Sequence, residues 1–311
     1  MHGRGFSRPG AIVSKTPPEL TVRVGCRLVF KAEAPAPMIF MVRPRRDEEA
    51  KVRDERLTFT PQLEVEEFSD AHGNLTDRCL LPIGQTIIHH DALVDVTSVP
   101  DSADRPPDSV PVEKLPAELL RYTLPSRYCD SDRLLLFAAQ NFGHIQNAVE
   151  RVIAICNWVH FNIKYVTCSG RPDISASEIV ARGYGVCRDF AHVACALCRA
   201  VNIPARYVTG HLPDIGCWDP GTPMDFHAYF QAYLQDRWCT FDARFNTPRI
   251  GRITVAHGHD AVDVAFSTVH GRAELASFEV WAFQVDPSVV TLDQPVDVSK
   301  RLDGTPEIRF S

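Results

Sequence analysis

The sequence predicts an α+β protein with a β-sandwich-like domain ahead of a domain that mixes helices and strands. Two observations support this prediction. Between residues 18 and 105, strand-like runs are separated by Pro, Gly, Asp and Asn, and no convincing helix interrupts them. After residue 131, apolar residues recur at helical spacing, and strands follow the last helix. The predicted parts are an N-terminal arm at 1–17, the β-sandwich-like domain at 18–105, a linker at 106–130, the mixed domain at 131–285 and a C-terminal tail at 286–311.

The composition is that of an ordinary globular protein. The 311 residues are 45% hydrophobic and 23% charged, which excludes a disordered chain. The formal net charge is −6, so no basic surplus suggests nucleic acid or an anionic membrane as a partner. The N-terminal residues contain no apolar run of signal-peptide length, and no stretch of about 18 uncharged apolar residues occurs. The ten cysteines are therefore expected to be reduced thiols in the cytoplasm.

The strand predictions in the first domain rest on alternation and on the turn residues between the runs. A turn is predicted at Asp70–Asn74, and five prolines between Pro100 and Pro116 mark the linker. The strand-like runs are Leu20–Val24, Met38–Val42, Leu57–Thr60 and Gln85–Ile88.

Four helices are predicted in the second domain. The first starts near Ser131 and stops at Gly143. The third begins at Ser175, where Glu178 completes a capping box, and the fourth begins at Cys187. The second helix has one buried face, made of Val149, Val152, Ile153, Cys156 and Val159.

Cys187 is the first candidate for chemistry because it lies in the first turn of a strongly apolar helix. The positive end of the helix macrodipole favours a thiolate there. Gly183 and Gly185 allow a tight entry and leave room for a substrate backbone. On spacing alone, however, Cys187 is equally well interpreted as a small buried residue.

The two strands that follow, 227–234 and 237–243, form a predicted hairpin around Gln235 and Asp236. With this two-residue loop, one face of the hairpin is entirely apolar, and His227 and Asp242 become diagonal neighbours on the other face. A three-residue loop without a bulge would scramble the apolar face. The pattern therefore favours the register that brings the imidazole and the carboxylate together.

Cys187, His227 and Asp242 then match the roles of nucleophile, proton donor and orienting acid. His227 would stabilise the thiolate and protonate the leaving group, while Asp242 would accept a hydrogen bond from the ring. A His–Asp pair on a strand is by itself more often structural. Three matched roles in one consistent arrangement favour a catalytic triad.

Three segments around these residues resemble the bacterial transglutaminase-like superfamily: Gly183–His192, Asp225–Tyr229 and Trp238–Arg244. Residues 125–132 and 251–261 and, more loosely, the β-rich N-terminal domain are also similar to that family. The resemblance covers most of residues 18–285. It implies a papain-like catalytic core with Cys187, His227 and Asp242 as its triad. The family's reactions span peptidase, amidase and amide-transfer chemistry, so the resemblance leaves the substrate open.

Weaker features are interpreted as structural. Cys195 and Cys198 have CxxC spacing but lie mid-helix on an apolar pattern, which favours core packing over a metal. His192 is interpreted as a structural residue. No phosphate-binding or calcium-binding loop motif is present, so no metal or cofactor is expected and a calcium requirement has no support. The remaining paired histidines, interpreted as surface residues, are His89, His90, His257 and His259.

Around the predicted nucleophile, Arg188 and Asp189 are expected to tie down the helix start. The backbone N–H of Cys187 is the main candidate for oxyanion stabilisation. Trp158 and Tyr165 are open alternatives for a cleft wall or a second donor.

The predicted function is thiol-dependent acyl transfer through a Cys187 thioester, with a peptide, a protein or a small amide as the substrate. Hydrolysis is preferred because nothing in the sequence marks an amine site or excludes water. The alternatives are protein-glutamine transamidation, a non-catalytic binding module that retains the fold, and a zinc protein. Neither the acyl donor nor the oligomeric state follows from the pattern.

Overall fold

The structure is a computed structural model that describes residues 19–46, 50–102, 105–217 and 224–302. The predicted arm at 1–17 and the end of the predicted tail lie outside these ranges. Within them, the chain forms three four-stranded sheets, a two-stranded parallel sheet and five α-helices. No helix of this described part combines the length and the apolar character needed to cross a membrane.

The secondary structure elements are as follows. The strands are β1 (Glu19–Ala32), β2 (Ala36–Phe40), β3 (Ala50–Thr60), β4 (Val65–Ser69), β5 (Leu75–Leu81), β6 (Gly84–Thr97), β7 (Lys164–Tyr165), β8 (Tyr184–Gly185), β9 (Ala205–His211), β10 (His227–Leu234), β11 (Arg237–Phe241), β12 (Ile253–Gly258), β13 (Ser267–Val269) and β14 (Ala273–Gln284). The helices are α1 (Ala117–Leu120), α2 (Leu135–Phe142), α3 (Ala148–Asn162), α4 (Ala176–Arg182) and α5 (Cys187–Ala200).

Two antiparallel sheets form the predicted β-sandwich. Their strand orders are β14-β1-β6-β3 and β13-β2-β5-β4. Side chains from both sheets fill the space between them, including Leu28 and Phe30 from β1, Met38 and Phe40 from β2, and Leu81 from β5. The alternation that predicted these strands therefore corresponds to a buried inner face.

The last two strands return to this sandwich. β14 pairs along most of β1, and β13 pairs with β2. The sequence prediction assigned everything from 131 to 285 to the second domain, so the pairing of residues 267–284 differs from it. The physical reason is that alternation predicts a strand but not its partner, and these partners lie more than two hundred residues earlier in the chain. Beyond β14, Val285, Val290 and Leu292 pack against Trp281, so the described start of the predicted tail is tied to the sheet.

The segment predicted as a linker also contains ordered structure. Residues 106–130 include α1 and two short 3-10 helices. Leu115, Leu119 and Tyr122 are buried there against Trp238 of β11. The prolines suggested an extended connection, but the apolar residues between them supply enough buried surface to fix the segment on the second domain.

The second domain packs its helices on a four-stranded antiparallel sheet of order β11-β10-β9-β12. α5 is the central helix and is buried on nearly all sides, which explains its strongly apolar sequence. Helices occur at all four predicted places. One face residue of α3 was predicted wrongly: Ile153 is 40% exposed, because the helix packs on α5 through Val152, Cys156 and Val159.

The sandwich and the second domain share an apolar contact. Val22, Val24 and Val94 of the sandwich cluster with Ile215 and Ile253 of the second domain. This contact packs the start of β12 and the residues just after β9 against the sandwich.

Candidate active site

The N-terminus of α5 positions Cys187. The carboxylate of Asp189 accepts a hydrogen bond from the N–H of Val186 at 2.9 Å, and this closes the first turn of the helix. Asp189 is buried and lies 3.1 Å from Arg188 and 3.6 Å from Arg182. The two residues predicted to tie down the helix start therefore do so through this carboxylate. A side chain at Gly185 would place its Cβ 2.6 Å from Asp189, so only glycine fits there.

The hairpin register positions His227 and Asp242. Phe230 pairs with Phe241 and Leu234 with Arg237, as the two-residue loop predicts. His227 is the first residue of β10, and Asp242 directly follows β11. Their side chains meet: Nε2 of His227 lies 2.7 Å from Oδ2 of Asp242.

The Nε2 contact leaves Nδ1 of His227 as the ring nitrogen available to Cys187, whose side chain hydrogen-bonds the same ring. Burial disfavours a charged imidazole. The negative charge of Asp242, its hydrogen bond and the Cys187 side chain outweigh that effect and raise the pKa of His227 to about 9. Near neutral pH the ring is therefore an imidazolium, and its positive charge lies beside the Cys187 side chain.

Asp242 has hydrogen-bond partners in addition to His227. Oδ1 accepts the backbone N–H groups of Arg244 at 3.0 Å and Phe245 at 3.2 Å. Oδ2 accepts a hydrogen bond from Nη2 of Arg252 at 2.9 Å. Burial opposes ionisation, but the charges of His227 and Arg252 together with these hydrogen bonds keep the pKa of Asp242 well below its usual range. The carboxylate is therefore fixed in both position and charge.

Sequence reasoning gave no role to Arg252. Its guanidinium bridges Asp242 and Asp101, with a 2.6 Å hydrogen bond to the latter. The contact depends on the chain after β11 folding back across the site, and no local periodicity encodes that return. The only available signal was the position of Arg252 in a segment that resembles the family.

Of the two open alternatives beside the thiol, the structure brings Tyr165 to it. The short parallel pairing of β7 with β8 places Tyr165 opposite Gly185, two residues before Cys187. Burial, followed by the charge of Cys187, raises the pKa of Tyr165. Trp158 instead packs its ring edge to face against Phe137 at a centroid distance of 4.9 Å.

A cleft of about 310 Å³ continues from Tyr165. Its walls come from the end of α3, from β7, from Phe190 of α5 and from Arg244. The lining residues are His160, Phe161, Asn162, Ile163, Lys164, Tyr165, Phe190 and Arg244.

The structure separates the remaining cysteines and histidines. Cys195 and Cys198 are fully buried in the α5 core, as predicted. His192 is buried, accepts the N–H of Ala261 at 3.1 Å, and so is structural as predicted.

Two of the histidines interpreted as surface residues are buried, so that prediction was wrong. His90 is completely buried on β6, with Nε2 3.1 Å from Glu55. His257 is 8% exposed, and its ring lies 2.9 Å from Arg206. His90 lies directly opposite Cys26, whose side chain belongs to the sandwich core, so its place on the inner face buries it. Around His257, β12 is buried at nearly every position, and a pair of alternate histidines does not reveal this. His89 and His259 are half-buried.

The fold and the Cys–His–Asp arrangement define a papain-like catalytic core, and comparison with known proteins agrees. A family model described as the transglutaminase-like superfamily matches residues 137–243, which contain all three residues. A crystal structure of a candidate cysteine protease from Cytophaga hutchinsonii superposes with a TM-score of 0.78. It shares 33% sequence identity, over 86% of this chain and 92% of that one. The chain belongs to the transglutaminase-like superfamily.

Two further similarities are more limited. An uncharacterized protein of Mycobacterium leprae is 29% identical over 117 residues, a match that spans 37% of this chain and 42% of that protein. The periplasmic domain of TgpA from Pseudomonas aeruginosa aligns with 14% identity and a TM-score of 0.37, over 72% of this chain and 88% of that one.

Proposed function

We propose that this protein is a cysteine hydrolase that cleaves an amide bond through a thioester on Cys187. One observation carries the proposal: His227 contacts Asp242 through Nε2 at 2.7 Å and so presents Nδ1 to the thiol at the start of α5. A histidine that served only to stabilise the fold would not need a cysteine thiol beside its second ring nitrogen. The candidate cysteine protease of C. hutchinsonii, similar over most of both chains, supports the same class of chemistry.

The acylation step follows from this geometry. The Cys187 thiolate attacks the amide carbonyl, a C–S bond forms, and the carbonyl oxygen becomes an oxyanion. The backbone N–H of Cys187, which as a first-turn donor has no intrahelical acceptor, faces that oxygen. The intermediate collapses when the C–N bond breaks and Nδ1 of His227 gives its proton to the leaving amine.

Deacylation reverses the proton path. Neutral His227 takes a proton from water through Nδ1, and the resulting hydroxide adds to the thioester carbonyl. The C–S bond then breaks, which releases the carboxylic acid and restores the thiolate beside the imidazolium. Throughout, Asp242 holds the ring through Nε2, and Arg252 holds Asp242.

We further propose a peptide, a protein or a small amide as the substrate, with no role for nucleic acid or a membrane. The cleft beside Tyr165 supports this substrate class because it joins aromatic walls to the cations Lys164 and Arg244. All ten cysteines are free thiols, which supports a reducing compartment such as the cytoplasm.

The test is release of amine or ammonia from a peptide library, measured with and without an added primary amine. We expect acid products in both conditions and no release by Cys187→Ala. Incorporation of the added amine in preference to water would replace hydrolysis by transamidation. No turnover of any amide, with a folded protein and a reactive Cys187, would leave the fold as a binding module.

A further inference from the structure

Three side chains that commonly bind metals converge where the β-sandwich meets the second domain. They are His72 from the turn between β4 and β5, and His259 and Asp263 from the segment after β12. Oδ2 of Asp263 lies 2.8 Å from Nδ1 of His259 and 3.2 Å from Nε2 of His72. The three ligand atoms lie within 4.8 Å of one another, and all three residues are half-buried.

These spacings are close to those of a metal site. Two Zn²⁺–ligand bonds of about 2.0–2.1 Å at the tetrahedral angle put the ligand atoms about 3.4 Å apart. Asp263 would therefore have to move about 0.6 Å away from His259 and about 0.2 Å away from His72 to admit the ion. Two imidazoles and one carboxylate also form a donor set that Zn²⁺ takes, with a fourth position left for water.

A neighbouring hydroxyl group can fix the tautomer of His72 that binds a metal. Nδ1 of His72 lies 3.0 Å from the Tyr122 hydroxyl, which can donate to that nitrogen or accept from it. When Tyr122 accepts, the ring proton resides on Nδ1, and Nε2 is free to bind an ion. His72 therefore only has to change tautomer.

The backbone around His72 is also fixed. Asp70 accepts the N–H groups of His72 and Asn74, both at 2.8 Å. The Asn74 side chain bonds the N–H of His257 at 3.0 Å and its carbonyl oxygen at 2.9 Å. The turn at 70–74 is thus held against the strand that leads to His259 without the help of an ion.

We propose that His72 Nε2, His259 Nδ1 and Asp263 Oδ2 bind one Zn²⁺ ion, which clamps the β-sandwich to the second domain. The site lies away from the thioester chemistry. Gly258, next to His259, pairs with Tyr207, whereas His227 pairs with Gly210 on the same strand. This separation is about 10 Å along β9. The bound ion therefore adds stability and takes no part in the reaction at Cys187.

Metal-stripped protein titrated with Zn²⁺ by calorimetry and by thermal melting tests the proposal. The titration uses the Cys187→Ala background, so that the catalytic thiol does not compete for the ion. We expect one Zn²⁺ per chain and a rise in Tm on binding. Co²⁺ in place of Zn²⁺ should give visible d–d bands without a thiolate charge-transfer band.

Four variants in that background compare the proposed ligands with a residue that contacts one of them and with a histidine outside the site. Asp263→Asn and His259→Gln should abolish the Tm rise, and Tyr122→Phe should weaken binding about 10–100-fold through the lost partner of His72. His144→Gln, at an exposed histidine outside the cluster, should bind like the parent.

Absence of stoichiometric binding in the parent would overturn the proposal, and so would equal binding by Asp263→Asn. An assay of amide release by the wild-type chain after EDTA treatment tests the proposed function independently of the zinc site. We expect that activity to be unchanged at a temperature well below Tm, whichever way the titration falls.

Discussion

His227 is the residue whose surroundings most directly set the chemistry. Asp242 and Cys187 raise its pKa to about 9, so the imidazolium persists through neutral pH, where the proposed mechanism needs it to protonate the leaving group. We expect kcat/KM to fall on an alkaline limb with a midpoint near pH 9. Asp242→Asn removes the charge that raises this pKa, so the alkaline limb should move to lower pH. An unchanged limb in the variant, measured by initial rates between pH 5 and 10, would contradict the role of Asp242.

Removal of the triad residues should separate their roles. His227→Ala loses the proton donor and the counter-charge of the thiolate, so kcat/KM should fall by at least about 10²–10⁴-fold. Asp242→Asn should also be severe, because the amide favours the wrong tautomer of the ring. Asp242→Ala should be milder than His227→Ala, since the ring still reaches the useful orientation part of the time. Steady-state kinetics beside a thermal melt of each variant measure this, and near wild-type turnover by a folded His227→Ala would refute the triad.

Thiol reactivity tests the nucleophile independently of any substrate. Cys187 is only half-exposed, whereas Cys168 is exposed, so accessibility alone would favour alkylation of Cys168. The imidazolium beside Cys187 favours its thiolate, and we expect iodoacetamide to modify it first near neutral pH. Mass spectrometry of early time points identifies the site. In His227→Ala the preference should reverse toward Cys168, and a wild-type protein that reacts first at Cys168, Cys195 or Cys26 would disprove the assignment.

The positions of the triad residues were predictable because local rules decide them. A two-residue hairpin loop and an apolar face set the register that joins His227 to Asp242. Arg252 was not predictable in its role, and His90 and His257 were misinterpreted. The contacts of Arg252 and the burial of His257 depend on distant segments, about which a period of two along a strand carries no information. His90 was misinterpreted because β6 continues to Thr97, well beyond the predicted run that ended at Ile88.

At the scale of elements, the start of α5 determines where the nucleophile lies. Gly185→Ala would press a methyl group to within 2.6 Å of the buried Asp189 carboxylate, whose own partners leave it little freedom. We expect a loss of about 1–3 kcal/mol in the free energy of unfolding, and a fall in kcat/KM as Cys187 shifts. Gly170→Ala is the matched control, because its new methyl meets only side-chain ends, those of Val186 at 3.2 Å and Arg188 at 3.8 Å. Urea unfolding and kinetics of both variants provide the test. Equal effects of the two substitutions would show that the close approach to Asp189 is not what requires glycine at position 185.

Helices were more predictable than the segments between them. The capping box at Ser175 and Glu178 and the apolar stripe of α5 are visible in a few consecutive residues, and both are present. The short helices within 106–130 were not expected, because their apolar residues gain stability only from the hairpin against which they pack. Ile153 was predicted to be buried but is exposed, because helical spacing alone does not say how wide the buried face of a helix is.

For the whole molecule, the closing strand joins the end of the described chain to its beginning. β1 lies between β14 and β6 in the sheet, and several of its side chains are completely buried. Without β14, one edge of β1 and the face beneath Trp281 would be exposed to solvent. The sandwich is therefore built from both ends of the described chain, and the second domain is an insertion between its strands.

Trp281 tests this arrangement directly. It is 6% exposed, and its Nε1–H donates to Asp91 at 3.0 Å, while Asp91 pairs with the buried Arg23. Trp281→Ala removes a large buried ring and one partner of a buried carboxylate, so unfolding should cost about 3–5 kcal/mol less.

Phe278 on the same strand supplies the control for Trp281. Its ring is 43% exposed, so Phe278→Ala should change the free energy of unfolding by much less. Because β14 is part of the sandwich, the loss in Trp281→Ala should appear as a lower unfolding midpoint for the sandwich and the catalytic core together. The apolar contact of Val22 and Val24 with Ile253 couples the two. Circular dichroism and thiol accessibility, followed in one urea titration, compare them. Separate transitions, or equal effects of the two substitutions, would show that β14 does not hold the molecule together.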